Sequence, residues 1–128
     1  MFHSQFINEL RSIETAELRL GSEEWFECVL SRNKLSEVTI LLSAYFKTPI
    51  KRSGEKPSAE AKRMTAAYGG IRKSQTLYYL KQNDREYCAM LWPWEDGEHI
   101  TLKVIQIDPH QPVPSSRNWF QKILSWFQ

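Results

Sequence analysis

At 128 residues, with 41% apolar and 25% charged side chains, the chain has the length and composition of one soluble globular domain with its own core. The formal net charge is only +2, and the absence of any apolar run near the about 20 residues of a bilayer span argues against integral membrane association. Two cysteines and three histidines, scattered without zinc spacing, argue against a disulfide scaffold and against a metal site, so no metal and no cofactor is expected.

Residues 2–14 place Phe2, Phe6, Ile7, Leu10 and Ile13 on one stripe at helical spacing, which predicts an amphipathic helix. The start, MFHSQFINELRSIE, has no basic opening followed by a continuous apolar core, so the expected location is cytoplasmic. Gly21-Ser22 breaks the helical pattern. Ser22 suits a cap, and Glu23-Glu24 suit the first turn of a short second helix with Trp25, Phe26, Val29 and Leu30 on its apolar face. Cys28, on this segment, and Cys88 lie far apart and are expected to be reduced and buried.

Residues 34–46 fit a helix through Leu35, Val38, Leu42 and Tyr45, although Val38-Thr39-Ile40 would also suit a buried strand. Asn33 as a cap and Pro49 as a stop favour the helix. The segment KTPIKRSGEKPS, 47–58, is a basic loop by composition. Ser58 then starts a helix to about Tyr68, with Ala61, Met64 and Tyr68 on one side and Gly69-Gly70 at its end. The following Ile71-Arg72-Lys73-Ser74 is not a phosphate loop, because its spacing and its helix-then-strand order are both wrong.

Residues 71–107 predict a three-stranded antiparallel meander. Asp96-Gly97 between apolar runs signals a two-residue type I′ hairpin turn, which sets Trp92 opposite Thr101 and Met90 opposite Lys103. A turn at Asn83-Asp84 sets Lys81 opposite Glu86 and Tyr79 opposite Cys88. One face then carries Thr76, Tyr78, Leu80, Tyr87, Ala89, Leu91, Ile100, Leu102 and Val104. The other mixes Lys73, Gln75, Leu77, Tyr79, Cys88, Met90, Trp92, His99, Thr101, Lys103 and Ile105, a set that suits either a stacking platform for bases or a helix-covered layer. A Pro-rich linker, 109–116, and an amphipathic helix, 117–128, complete the chain. The predicted architecture is therefore α+β, with a domain over 1–108, a helical N-terminal half, the meander and a tethered C-terminal helix.

Charge is unevenly distributed. Residues 1–30 carry a net −4 and residues 47–73 a net +6. This asymmetry suggests either an anionic partner or a match between the two regions. The leading expectation is a non-enzymatic module for RNA or single-stranded DNA, with Lys51, Arg52, Lys56, Lys62, Arg63, Arg72, Lys73, Trp92 and Lys103 contacting the ligand. The alternative is a protein–protein accessory, such as an inhibitor, immunity or assembly factor. It would use the acidic N-terminal helix or the aromatic tail residues Trp119, Phe120, Ile123 and Phe127. No hydrolase or metalloprotease motif is present, and no catalytic residue is assigned. The one chemistry the residue types would serve is metal-independent RNA cleavage by His99, Tyr79, Lys73 and Arg72. Helices followed by a meander bearing Arg, Lys and Tyr resemble, in layout alone, the small bacterial ribonuclease toxins of the RelE type.

Overall fold

A computed structural model describes residues 2–13, 17–21 and 25–107, with side chains described for 5–13 and 25–107. The cap assigned to Ser22, the linker 109–116 and the C-terminal helix with Trp119, Phe120, Ile123 and Phe127 lie outside the described residues. The helices are α1 (Phe2–Ser12), α2 (Leu35–Phe46) and α3 (Ala59–Thr65). The strands are β1 (Glu17–Gly21), β2 (Trp25–Ser31), β3 (Thr76–Gln82), β4 (Arg85–Pro93) and β5 (His99–Ile107). Among the described residues, β2 to β5 form an antiparallel core of four strands, with β1 as a fifth on the outer edge of β2, in the order β1-β2-β5-β4-β3. The α+β class holds, and the meander is the β5-β4-β3 part of a wider sheet.

The expected helix at Trp25–Leu30 is instead strand β2, paired with β5 from Trp25↔Ile105 to Ser31↔His99. Its apolar residues sit on both faces of a sheet that is covered on both sides. A strand buried twice reads as a continuous apolar run and loses the alternation that marks a half-exposed one. Residues 34–46 do form the expected helix, α2, preceded by a 3-10 turn over Arg32–Lys34. Lys34 is its first flanking residue, with no side-chain cap bond, so Asn33 is not the cap. For α3 the expected cap is present: Ser58 Oγ accepts from the Ala61 N–H at 3.1 Å. Gly69 takes the left-handed conformation (φ +102°) where the helical segment ends.

The hairpin registers follow the sequence reading, with Lys81↔Glu86, Tyr79↔Cys88, Met90↔Lys103 and Trp92↔Thr101. Asn83 and Asp84 both have positive φ, 52° and 64°, as a two-residue type I′ turn requires. The second turn differs from expectation. Gly97 has positive φ but Asp96 does not, and the Gly97 N–H donates to the Trp94 carbonyl at 3.2 Å within a four-residue loop. The register survives because a four-residue loop centred on the same dipeptide leaves the same residues facing each other.

Two cores result. One face of the sheet, through Phe26, Leu30, Tyr78, Ala89, Leu91, Leu102 and Val104, packs on Phe6, Ile7 and Leu10 of α1 and Val38, Leu42 and Phe46 of α2. On the opposite face, Leu77, Cys88, Met90 and Ile105 pack against Ala61, Tyr68 and Ile71, with Trp25 and Trp92 alongside. The mixed face of the meander is therefore covered in large part by α3 and the turn after it. No helix among the described residues is long and apolar enough to cross a membrane.

Candidate functional site

The basic loop is held in place by one of its own lysines. Lys51 is buried, at 3% exposure. Its backbone bridges the edge strand β3, with Lys51 N–H donating to Leu77 O at 3.3 Å and Leu77 N–H to Lys51 O at 2.9 Å. Its ammonium donates to three carbonyls: Arg52 at 3.0 Å, Lys73 at 2.6 Å and Gln75 at 2.5 Å. Three donors meeting three carbonyl acceptors satisfy the group completely. Burial lowers the Lys51 pKa, against the raising influence of Glu55. Two further bonds tie the same segments: Gly54 N–H to Lys73 O at 2.8 Å and Ser53 Oγ to Ser74 O at 3.0 Å. The turn from 72 to 75 is closed by Gln75, whose N–H donates to Arg72 O while its Oε1 accepts from the Arg72 N–H. Two basic stretches about 20 positions apart are thus fastened side by side, and Arg52, Lys56, Arg72 and Lys73 are exposed on them. Lys62 and Arg63 are exposed on α3.

Other expected contact residues lie inside the protein. Lys103 is 1% exposed. Its ammonium stands 3.7 Å from Glu27 Oε1 and 3.6 Å from the centroid of the Trp92 ring, and it donates to Tyr68 O at 3.4 Å. The cation is neutralised within the second core, with Trp92 stacked on it. Lys51, Lys103 and half-buried Trp92 therefore organise the interior, which corrects the expectation that all three face a ligand. Glu27, from the acidic N-terminal region, pairs with Lys103 of β5.

Within the ribonuclease set, Tyr79 stands apart from His99. Tyr79 lies opposite Cys88, which lies opposite Ile105, six positions along β5 from His99. At about 3.3 Å per residue the two are about 20 Å apart. Tyr79 donates its hydroxyl to Glu86 Oε1 at 2.5 Å. Burial and that carboxylate push its pKa up to about 12. Burial likewise raises the thiols of Cys28 and Cys88 to about 12, which makes both unreactive.

At the other end of the meander a pocket of about 240 Å³ is lined by Arg32, Leu35, Ser53, Ser74, Thr76, Leu91, Pro93, Trp94, Gly97, His99 and Ile100. Its far wall is the β4–β5 turn, built on Asp96. Asp96 Oδ1 accepts from the N–H groups of Glu98 (2.8 Å) and His99 (3.0 Å), and its Oδ2 meets His99 Nδ1 at 2.6 Å. The backbone bond to Glu98 and the side-chain bond to His99 hold the Asp96 carboxyl below the usual carboxylate range. Trp94 lies against His99, ring centroids 5.0 Å apart, and its indole N–H donates to Thr101 Oγ1 at 2.8 Å. Arg32 closes the pocket from the β2–α2 connection, with its N–H donating to Glu98 O at 2.8 Å and its Nη1 to Gly97 O at 3.1 Å. Ser53 and Ser74 come from the two fastened basic segments, so the pocket and the basic surface are continuous.

Sequence reasoning singled out His99 here but not Arg32, Trp94, Ser53 or Ser74. Reading β2 as a helix left Arg32 with no reason to approach the β4–β5 turn. The Ser31↔His99 pairing brings it there. Among the described residues no group of three His, Cys, Asp or Glu side chains is placed to hold a metal ion. No protein-family model, no curated protein and no solved structure matches this chain.

Proposed function

We propose that the protein is a small non-enzymatic module that binds RNA or single-stranded DNA through the basic surface formed by Arg52, Lys56, Arg72 and Lys73, extended by Lys62 and Arg63 on α3. The observation that carries this reading is the buried Lys51 ammonium, which locks two basic segments side by side and keeps four of their cations exposed. Adjacent like charges repel, and a fold that holds them together gains little from it unless an anion occupies the surface. Closely spaced cations on a fixed backbone suit a chain of phosphates, whose binding releases counterions and falls with salt at about 0.7 per neutralised phosphate for a single strand.

The test is a titration of a 30-mer single strand at two or more salt concentrations. Wild type should bind with a clear negative salt slope. The variant Arg52→Gln/Arg72→Gln/Lys73→Gln should bind more weakly, with the slope reduced by about 2. Equal affinity and equal slope in the two proteins would reject the reading.

A second reading, a protein–protein accessory, draws on one separate observation. An open cleft of about 450 Å³ between α1 and α2 is lined by Ile13, Ile40, Leu41 and Tyr45 together with Glu9 and Glu37. Ile40 is 70% exposed. An apolar floor with carboxylates at its rim suits an amphipathic helix with basic flanks. Under this reading Ile40→Asp abolishes partner capture and leaves strand binding unchanged; capture unaffected by Ile40→Asp rejects it.

A further inference from the structure

We infer that the pocket between the β4–β5 turn and Arg32 receives a single nucleotide, its phosphate on Arg32 and its base against Trp94. The inference rests on the proposed strand-binding reading and adds a specific subsite to it. Three features of the pocket lead there.

The first is the donor set. Arg32 spends Nη1 on the Gly97 carbonyl, and that bond anchors one end of a guanidinium with five N–H donors in a planar fork. The remainder of the fork suits phosphate oxygens. Ser74 and Thr76 add hydroxyls from the opposite wall, where Ser53 also stands with its hydroxyl donated to Ser74 O. His99 has Nδ1 committed to Asp96, so Nε2 is the ring nitrogen left to meet a ligand. As an imidazolium it donates to a phosphate oxygen, and as a neutral ring it accepts from a ribose hydroxyl.

The second is the aromatic wall. Trp94 is one of the few large apolar side chains exposed on the described surface, at 36%. Its indole N–H is tied to Thr101 and one side lies against His99, so the ring is oriented before any ligand arrives. A fixed and accessible ring is what base stacking uses, at about 1–3 kcal/mol per base in single-strand binders.

The third is size and charge. At about 240 Å³ the pocket falls below the roughly 300–1,000 Å³ of sites that engulf a drug-sized ligand. A phosphate and sugar fit inside, while a base remains at the mouth where Trp94 stands. Glu95 and Glu98 are exposed on the same turn, and both Asp96 oxygens are already taken by Glu98 and His99. The flanking carboxylates disfavour a run of phosphates across this end and limit it to one, whereas the basic surface next to Ser53 and Ser74 takes the rest of the strand.

The experiment is a titration of the 15N-labelled full chain, at low salt, with AMP, UMP, adenosine and inorganic phosphate. AMP and UMP should shift the Trp94 indole N–H and the amides of Gly97, Glu98 and His99. Adenosine and phosphate alone should bind at least about ten-fold more weakly than the nucleotides. Arg32→Ala should weaken AMP about ten-fold or more, with Arg32→Lys restoring part of the loss. Trp94→Leu should weaken AMP and leave the response to inorganic phosphate unchanged. Because Arg32 also supports the turn, Trp94→Leu carries the test should Arg32→Ala fail to fold. Absence of shifts at these residues, or AMP affinity untouched by Trp94→Leu, overturns the inference. Salt-sensitive 30-mer binding then still stands on the basic surface. Loss of 30-mer binding in wild type would overturn the strand-binding reading itself.

Discussion

Replacing Lys51 with methionine keeps the aliphatic stem and deletes the ammonium that fastens the basic loop. Three bonds to carbonyls are lost, at Arg52, Lys73 and Gln75. Hydrogen bonds made by a charged group contribute about 1.5–3 kcal/mol each, so the gross loss is about 5–9 kcal/mol. Removing a buried charge recovers several kcal/mol of desolvation, the same burial that lowers the Lys51 pKa. The acceptors differ as well. The bond to Gln75 is buried, while those to Arg52 and Lys73 are partly exposed, so the latter two carbonyls can take water. The orphaned Gln75 carbonyl costs about 1–3 kcal/mol, and the net effect comes to about 2–4 kcal/mol. For a chain of this length that lowers the melting temperature by about 6–15 °C. Thermal and urea unfolding followed by tryptophan fluorescence measure it. Native-state hydrogen exchange adds a local readout, because the amides of Gly54 and Leu77 are bonded to Lys73 O and Lys51 O and should exchange faster. A melting temperature within about 1 °C of wild type, with Gly54 exchange unchanged, would refute the account of Lys51 as the fastener.

Three other outcomes follow from the same geometry. In the second core, Lys103→Met should destabilise by about 3–5 kcal/mol by removing the cation beside buried Glu27, while Glu27→Leu/Lys103→Met should recover most of that loss in urea titrations; additive losses would contradict a coupled ion pair. Gly69→Ala should cost about 2–4 kcal/mol, because the residue sits at φ +102° and a Cβ there would come 2.5 Å from Trp92 Cη2; a neutral substitution would show that the turn relaxes freely. Asp96 has its folded pKa below the unfolded value of about 3.9, so its contribution is present above that value and is lost as pH falls through the lowered folded pKa. The stability gap between wild type and Asp96→Asn should therefore be full near neutral pH and close in acid, and a gap independent of pH would exclude a charge effect.

Much of the meander was legible in the chain. The Lys81–Glu86 and Met90–Lys103 pairings follow from turn dipeptides and a period of two, both local signals. The helices α2 and α3 follow from apolar spacing, and α3 also from its Ser58 cap. Residues 25–31 carry no local strand signal, because burial on both sheet faces erases the alternation that separates strand from helix. Without β2 as a strand, nothing local to the chain lines Arg32 up with the β4–β5 turn.

The division between sequence and tertiary structure is clearest in the lysines. Composition and charge order alone determine that a basic stretch lies between residues 47 and 73 and that an acidic one precedes it. They say nothing of which cations reach solvent, because Lys51 and Lys56 are chemically identical and differ only in what surrounds them. The bridge to Leu77 draws Lys51 into a nest of three carbonyls, and the β2–β5 pairing sets Glu27 against Lys103. Local propensity is written in neighbouring residues. Whether a charge is a surface group or an interior fastener depends on carbonyls and carboxylates that only the folded chain brings within hydrogen-bonding distance.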